Sequence, residues 1–464
     1  MKQKLKNKLA AIYDLTGLSQ IHLTLAPLRQ KLFSSTDQIS TLLELCYSLA
    51  RISPGWSSSS SSGFLHEKHF HQSPIKLRIK TLGDKAVKLM LPASAPRSAG
   101  PYVREGYQLG DGCNFNSFVS MLPESCRDIS QKASPLGLVA MLFPYGKTEE
   151  NMRYVACCFW IWLCVIDDLT EHLVGDEWEQ TESDLMLVFN TPRDSMDCLN
   201  YFHKDSDAVQ VSHALRTVID STSIYYQSGV VSAPWKVAFN NAVKEVIAGF
   251  RAERPLLSAD RIELSDWMPV RMITISVRPF MILAKASLNL DLTMSNFGNP
   301  LREDQTPSSD HRRGYDATLA KVERLLQLIM GLQNDILGWE KDFTLSNPLN
   351  AIQILILHGA TPSSAFADVV ETHNELVRQL FHYGERAWIE SLTAGDDIGG
   401  PGTYTYGATV RSNRSSIASF MAAPGQRQRL MPDVDVQRYL ELIMGFANGM
   451  ASWMAVSKRY EVSV

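Results

Sequence analysis

Two short acidic stretches, far apart in the chain, hold residue types that do chemistry: Asp167-Asp168-Leu169-Thr170-Glu171 and Asn334-Asp335-Ile336-Leu337-Gly338-Trp339-Glu340-Lys341-Asp342. On a helix, residues at i, i+4 and i+8 lie along one face. Asp167 and Glu171 therefore share a face, as do Asn334, Gly338 and Asp342, with Lys341 on the same side. Each stretch follows an apolar run. Oxygen donors on two such faces suit hard divalent cations, and Mg2+ is ordinarily held by a few carboxylates together with substrate phosphates. The pair implies an enzyme that holds a diphosphate with Mg2+.

An acidic helix face is ordinarily solvated surface, and the first stretch is short. Its position argues for more. The apolar run from Val155 to Ile166 leads straight into it, so Asp167 stands at the edge of something buried. Carboxylates there need compensating positive charge. Two basic features can meet a diphosphate. Arg459 and Tyr460 form a pair near the chain's end, able to offer a guanidinium fork and a hydroxyl. Arg271 lies inside an apolar helical stretch, where a basic side chain needs an anionic partner. Other signals carry less. Gly146-Lys147-Thr148 resembles the end of a phosphate-binding loop, but Met141 occupies the place of its first glycine. His66, His69 and His71 have spacing closer to a solvated loop than to a zinc site, and Asp396-Asp397 lies among glycines.

These residues must be positioned by a sizeable fold. The chain has 464 residues, 45% apolar and 20% charged, as expected for a globular protein. A net charge of -4 leaves no nucleic-acid footprint. Seven cysteines, three of them in the apolar run and none in a zinc-like CxxC pair, read as a reducing, cytoplasmic setting. The basic N-terminus lacks the apolar stretch of a signal peptide, and the longest apolar run is too short for stable membrane insertion.

The spacing predicts helices over Asn151–Asp168, Ala317–Trp339, Val369–Leu392 and Val434–Val456, the first apolar on nearly all sides. Strand-like alternation is scarce, with Ile75–Ile79 the best candidate. Ser57–Ser62, six serines in a row, reads as a linker. The segments 296–316 and 393–433 read as loops, the second a flap able to order on ligand binding. Residues 1–62 are expected to be a dispensable extension, 63–135 a lead-in of no clear pattern, and 136–464 the catalytic domain.

Over residues 136–464 the sequence resembles class I terpene synthases of the fungal and bacterial type. The family's DDxxD/E motif matches Asp167, Asp168 and Glu171. Its second metal motif, NDxxSxxxE, matches Asn334 and Asp335, but has Gly338 for the serine and Asp342 for the glutamate. Its diphosphate-binding lysine matches Lys341, its C-terminal Arg-Tyr pair Arg459 and Tyr460, its diphosphate-sensing arginine Arg271, and its cavity tryptophan Trp453. Thr274 and Ile275 fall in the family's helix-break region.

The resemblance implies an all-α helical bundle around a deep apolar cavity. It implies Asp167, Asp168, Glu171, Asn334, Gly338 (through water) and Asp342 around three Mg2+ ions, with Mn2+ as a substitute. Arg271, Lys341, Arg459 and Tyr460 would hold the diphosphate, and Phe159, Trp160, Leu163, Phe280 and Trp453 are candidates for the cavity wall. The implied substrate is a linear isoprenoid diphosphate, by default the C15 farnesyl compound giving a sesquiterpene, with C20 geranylgeranyl diphosphate as the alternative. The implied protein is a monomer or homodimer. A chain-elongating prenyltransferase would need a second aspartate-rich motif, which Asn334–Asp342 is not. A catalytically silent isoprenoid-binding homologue stays open because of Gly338 and Asp342.

Overall fold

The computed structural model describes residues 38–52, 75–79, 85–92, 115–143, 150–191, 206–224, 234–288, 316–393 and 434–455, together with 82, 290 and 457. The expected linker at Ser57–Ser62, the loops around 296–316 and 393–433, the histidines at 66–71, and Arg459 with Tyr460 lie outside them.

The architecture is a helical bundle. Its elements begin with α1 (Gln38–Ala50), a hairpin of β1 (Ile75–Ile79) and β2 (Lys85–Leu89), α2 (Phe115–Met121), α3 (Glu124–Lys132) and α4 (Pro135–Leu142). Then follow α5 (Glu150–Thr170), α6 (Asp176–Asn190), α7 (Asp207–Ser221), α8 (Trp235–Leu257), α9 (Leu264–Thr274) and α10 (Val277–Ser287). The last are α11 (Asp316–Leu337), α12 (Trp339–Thr344), α13 (Ala351–Leu357), α14 (Pro362–Thr393) and α15 (Val434–Met454). Among the described residues no helix is long and apolar enough to cross a membrane.

The expected central helix is α5, buried continuously from Met152 to Ile166. A helix apolar on all sides must be surrounded, and α5 packs against α2, α3, α4, α7 and α10. Phe159 stacks on Trp162 and meets Phe239 and Phe280 edge-on, with centroids 5.3–5.7 Å apart. Buried polar groups tie the bundle elsewhere. Lys285 of α10 pairs with Glu323 of α11 at 2.6 Å, and the Tyr439 hydroxyl of α15 donates to the same carboxylate at 2.7 Å.

The helix-break region forms between α9 and α10. Ser276 adopts a left-handed φ of 59°. Pro279 has no N–H, so the carbonyl of Ile275 cannot receive the bond that would carry α9 onward. Two glycines let neighbouring helices close on this break. A Cβ on Gly249 of α8 would stand 2.8 Å from Ile273 and 2.9 Å from Thr274, and one on Gly331 of α11 would stand 3.1 Å from the Arg271 stem.

Two features add to the expected fold. The fold is helical, but it carries the antiparallel pair β1–β2, in register from Ile75 opposite Leu89 to Ile79 opposite Lys85. The hairpin is secured from α14, where Asn374 accepts from the Met90 N–H at 2.9 Å and donates to the Lys88 carbonyl at 3.3 Å. Helix α1 falls within the extension expected to end at residue 62, yet it packs against α9, α11 and α14. Leu42, Leu45, Cys46 and Ala50 are fully buried, and the Tyr47 hydroxyl donates to Glu375 at 3.2 Å. We therefore assign α1 to the bundle.

Candidate active site

The C-terminal end of α5, the end of α8, the α9–α10 break and the α11–α12 junction line one pocket of about 180 Å3. Asp167, Asp168 and Glu171 stand on one part of its wall, and Asn334, Gly338, Lys341 and Asp342 on another. Arg271, Thr274 and Ile275 supply a third part, and Trp160, Leu163, Phe250, Trp267 and Met450 give it apolar surface. The expected face of the second motif thus exists, although α11 ends at Leu337 and α12 begins at Trp339. Helical bonds run through Gly338, whose N–H donates to the Asn334 carbonyl at 2.7 Å, while the Asp342 N–H donates to the Gly338 carbonyl at 2.9 Å.

Arg271 is the electrostatic centre of this end. Its Nη2 lies 2.7 Å from the Asp335 carboxylate and also donates to the Asn334 side-chain oxygen. Asp335 is fully buried and also accepts from the Ala351 N–H at 2.9 Å and the Trp267 indole at 3.4 Å. Burial pushes its carboxyl above the usual range, while Arg271 and these donors pull it back. The anionic partner expected for Arg271 is thus within the second motif itself. Asp342 is raised to about 6, first by burial, with Asn350 lowering it and Asp335 raising it.

Sequence reasoning missed two neighbours on α8. Glu253 lines the pocket, and its carboxyl is raised to about 7 by burial and by Asp167, against Thr274, Arg271 and Arg254. Arg254 grips the end of α5, donating to the Thr170 carbonyl at 2.5 Å and the Glu171 carbonyl at 3.0 Å, with its guanidinium 4.6 Å from the Trp178 ring. A cation at a helix C-terminus meets both the orphan carbonyls and the negative end of the dipole. The run Arg251-Ala252-Glu253-Arg254 before Pro255 was the available signal, although nothing local in it names a partner on α5.

Of the wall candidates, Trp160 and Leu163 line the pocket. Phe159, Phe280 and Trp453 are not among its lining residues. The two phenylalanines belong to the aromatic core, and Trp453 packs edge-on to Trp160 at 5.1 Å.

The donor set fits hard divalent cations. Its oxygen donors are carboxylates and amides; no imidazole lines the pocket, and its one thiol is Cys164, on the apolar run of α5. Among the described residues no three acidic, histidine or cysteine side chains converge on one point. Oxygens spread around a mouth in this way suit ions that complete their shells with water and substrate phosphate.

Residues 158–379 match the family model described as "Terpene synthase family 2, C-terminal metal binding". These residues are similar to the metal-binding domain of the terpene synthase family. The matched stretch includes both acidic motifs, the helix break and Arg271. No curated protein matches the chain in sequence. Similar solved structures include the SVS_A2 protein from ancestral sequence reconstruction, in a mutant form, at 12% identity and TM-score 0.47, covering 74% of this chain and 83% of that one. Linalool/nerolidol synthase from Streptomyces clavuligerus is 13% identical with TM-score 0.44, covering 72% and 90%. Germacradien-4-ol synthase from Streptomyces citricolor is 11% identical with TM-score 0.45, covering 74% and 89%.

Proposed function

We propose that this protein is a terpene synthase, a Mg2+-dependent cyclase that ionises farnesyl diphosphate and closes the resulting cation to a sesquiterpene. The observation that carries this reading is the convergence of both acidic motifs and Arg271 on one pocket with apolar surface beside them. The C15 chain is the default substrate in this reading and the C20 chain the alternative.

The residues that would hold the metal are Asp167, Asp168, Glu171, Asn334 and Asp342, with water at Gly338. When bound, Mg2+ supplies Lewis-acid pull on the leaving diphosphate. The chain's own groups do the rest. Arg271 and Lys341, joined by Arg459 and Tyr460, offset charge as the allylic C–O bond breaks and its electron pair leaves with the diphosphate. Such donors act most strongly in a site that excludes water, which also keeps the cation from being quenched to an alcohol. Trp160, Phe250 and Trp267 line the pocket and are the aromatic candidates for stabilising the cation. Ile275 lines the pocket at the helix break, where Pro279 offers its carbonyl no N–H donor.

Incubation of the protein and Mg2+ with the C10, C15, C20 and C25 isoprenoid diphosphates, followed by gas chromatography and mass spectrometry, tests the reading. Cyclic C15 hydrocarbons are expected. Cyclic products from the C20 substrate alone would overturn the chain-length assignment, and no product from any substrate would favour the silent homologue.

A further inference from the structure

Asp342 stands where the family's second metal motif has the longer glutamate, and its carboxylate is not left to find its own position. Asn350 is fully buried at the start of α13, and its side chain makes three well-formed hydrogen bonds. Its Oδ1 accepts from the Ile352 N–H at 2.9 Å, capping the helix. Its Nδ2 donates to the Asp335 carbonyl at 2.9 Å and to the Asp342 Oδ2 at 2.9 Å. One amide thus joins the end of α11, the carboxylate on α12 and the first turn of α13. The capping oxygen fixes the amide plane, and the fixed plane aims the two N–H donors. The next residue continues the arrangement, since the Ala351 N–H donates to Asp335, the partner of Arg271.

We propose that Asn350 is a positioning residue, holding the Asp342 carboxylate toward the pocket so that the shorter acid can serve as a metal ligand. The inference rests on the metal-dependent reading above. A buried cap needs only the oxygen; serine supplies one equally well, and threonine somewhat less well. The amide N–H bonds to Asp335 and Asp342 are the part that capping leaves unexplained, and they are what a ligand-orienting group requires. Partners that orient a metal ligand typically change affinity by about 10- to 100-fold when removed.

The test is calorimetric titration of inorganic diphosphate into the full chain at a series of Mg2+ concentrations. It reads the Mg2+ concentration that gives half-maximal binding. Asn350→Ser keeps the capping oxygen and deletes the donor; Asn350→Thr gives the same comparison should the serine variant fail to fold. Either should raise the Mg2+ requirement about 10- to 100-fold. In an Asp342→Ala background, Asn350→Ser should add nothing, because its effect passes through that carboxylate. Additive effects overturn the proposal. So does an unchanged Mg2+ requirement with a lowered melting temperature, which would leave Asn350 as a cap alone. Wild-type protein that binds diphosphate equally with and without Mg2+ would instead overturn the metal reading on which the proposal rests.

Discussion

Arg254 shows how a side chain outside the motifs governs the residues within them. Its two bonds to the Thr170 and Glu171 carbonyls hold the end of α5 where Asp167 and Glu171 project. Arg254→Met keeps much of the stem and removes the charge-assisted donors. Such bonds contribute about 1.5–3 kcal/mol, so urea unfolding should show a loss of that order. Turnover should then need more Mg2+, with a smaller effect at saturating metal. Unchanged stability and Mg2+ dependence would mean that the end of α5 holds itself. The acidic motifs were legible in sequence because their oxygen donors recur at helical spacing. Arg254 and Asn350 were not, because their partners come together only on folding and include main-chain carbonyls. The Asn350 cap had a local signal, an Asn before the apolar run Ala351–Leu357, but its reach to Asp342 had none.

Among the elements, α5, α11, α14 and α15 follow the apolar spacing that predicted them, with ends shifted by a few residues and α14 starting earlier. The strand expected at Ile75–Ile79 forms with those bounds, whereas its partner β2 went unread. Helix α1 is the instructive case. A serine run behind it looks like a linker, and the helices it packs against lie hundreds of residues later in the chain, so no local pattern tied it to the core. Leu45→Ala should destabilise the protein by about 2–5 kcal/mol, the cost of emptying a fully buried leucine site. Deleting residues 1–62 should cost more, seen as loss of the cooperative thermal transition by circular dichroism. A deletion variant that melts like the full chain would return α1 to the status of an extension.

At the scale of the whole molecule, one buried histidine links stability to pH. His373 of α14 is fully buried and held down to about 4 by burial, with Asn374 opposing. Its ordinary value is 6.5. The folded state therefore binds this proton less readily than the unfolded chain. Its contribution is fully present above about pH 6.5 and is lost as pH falls toward 4, on the order of 3 kcal/mol in all. Asn374 also holds β2, so the loss should loosen the hairpin. Urea midpoints for wild type and His373→Gln should converge as pH falls from 7 to 4. Parallel curves would assign the acid sensitivity to other groups.

The central claim is that the two acidic motifs act together to expel diphosphate from an isoprenoid substrate. Release of diphosphate from farnesyl diphosphate, followed for wild type and Asp167→Ala with Mg2+ and with chelator, tests it most directly. Wild type should release diphosphate only with Mg2+, and the variant should fall to near background even at high Mg2+ while still folding by circular dichroism. Metal-independent release by wild type, or full activity in the variant, would contradict the account.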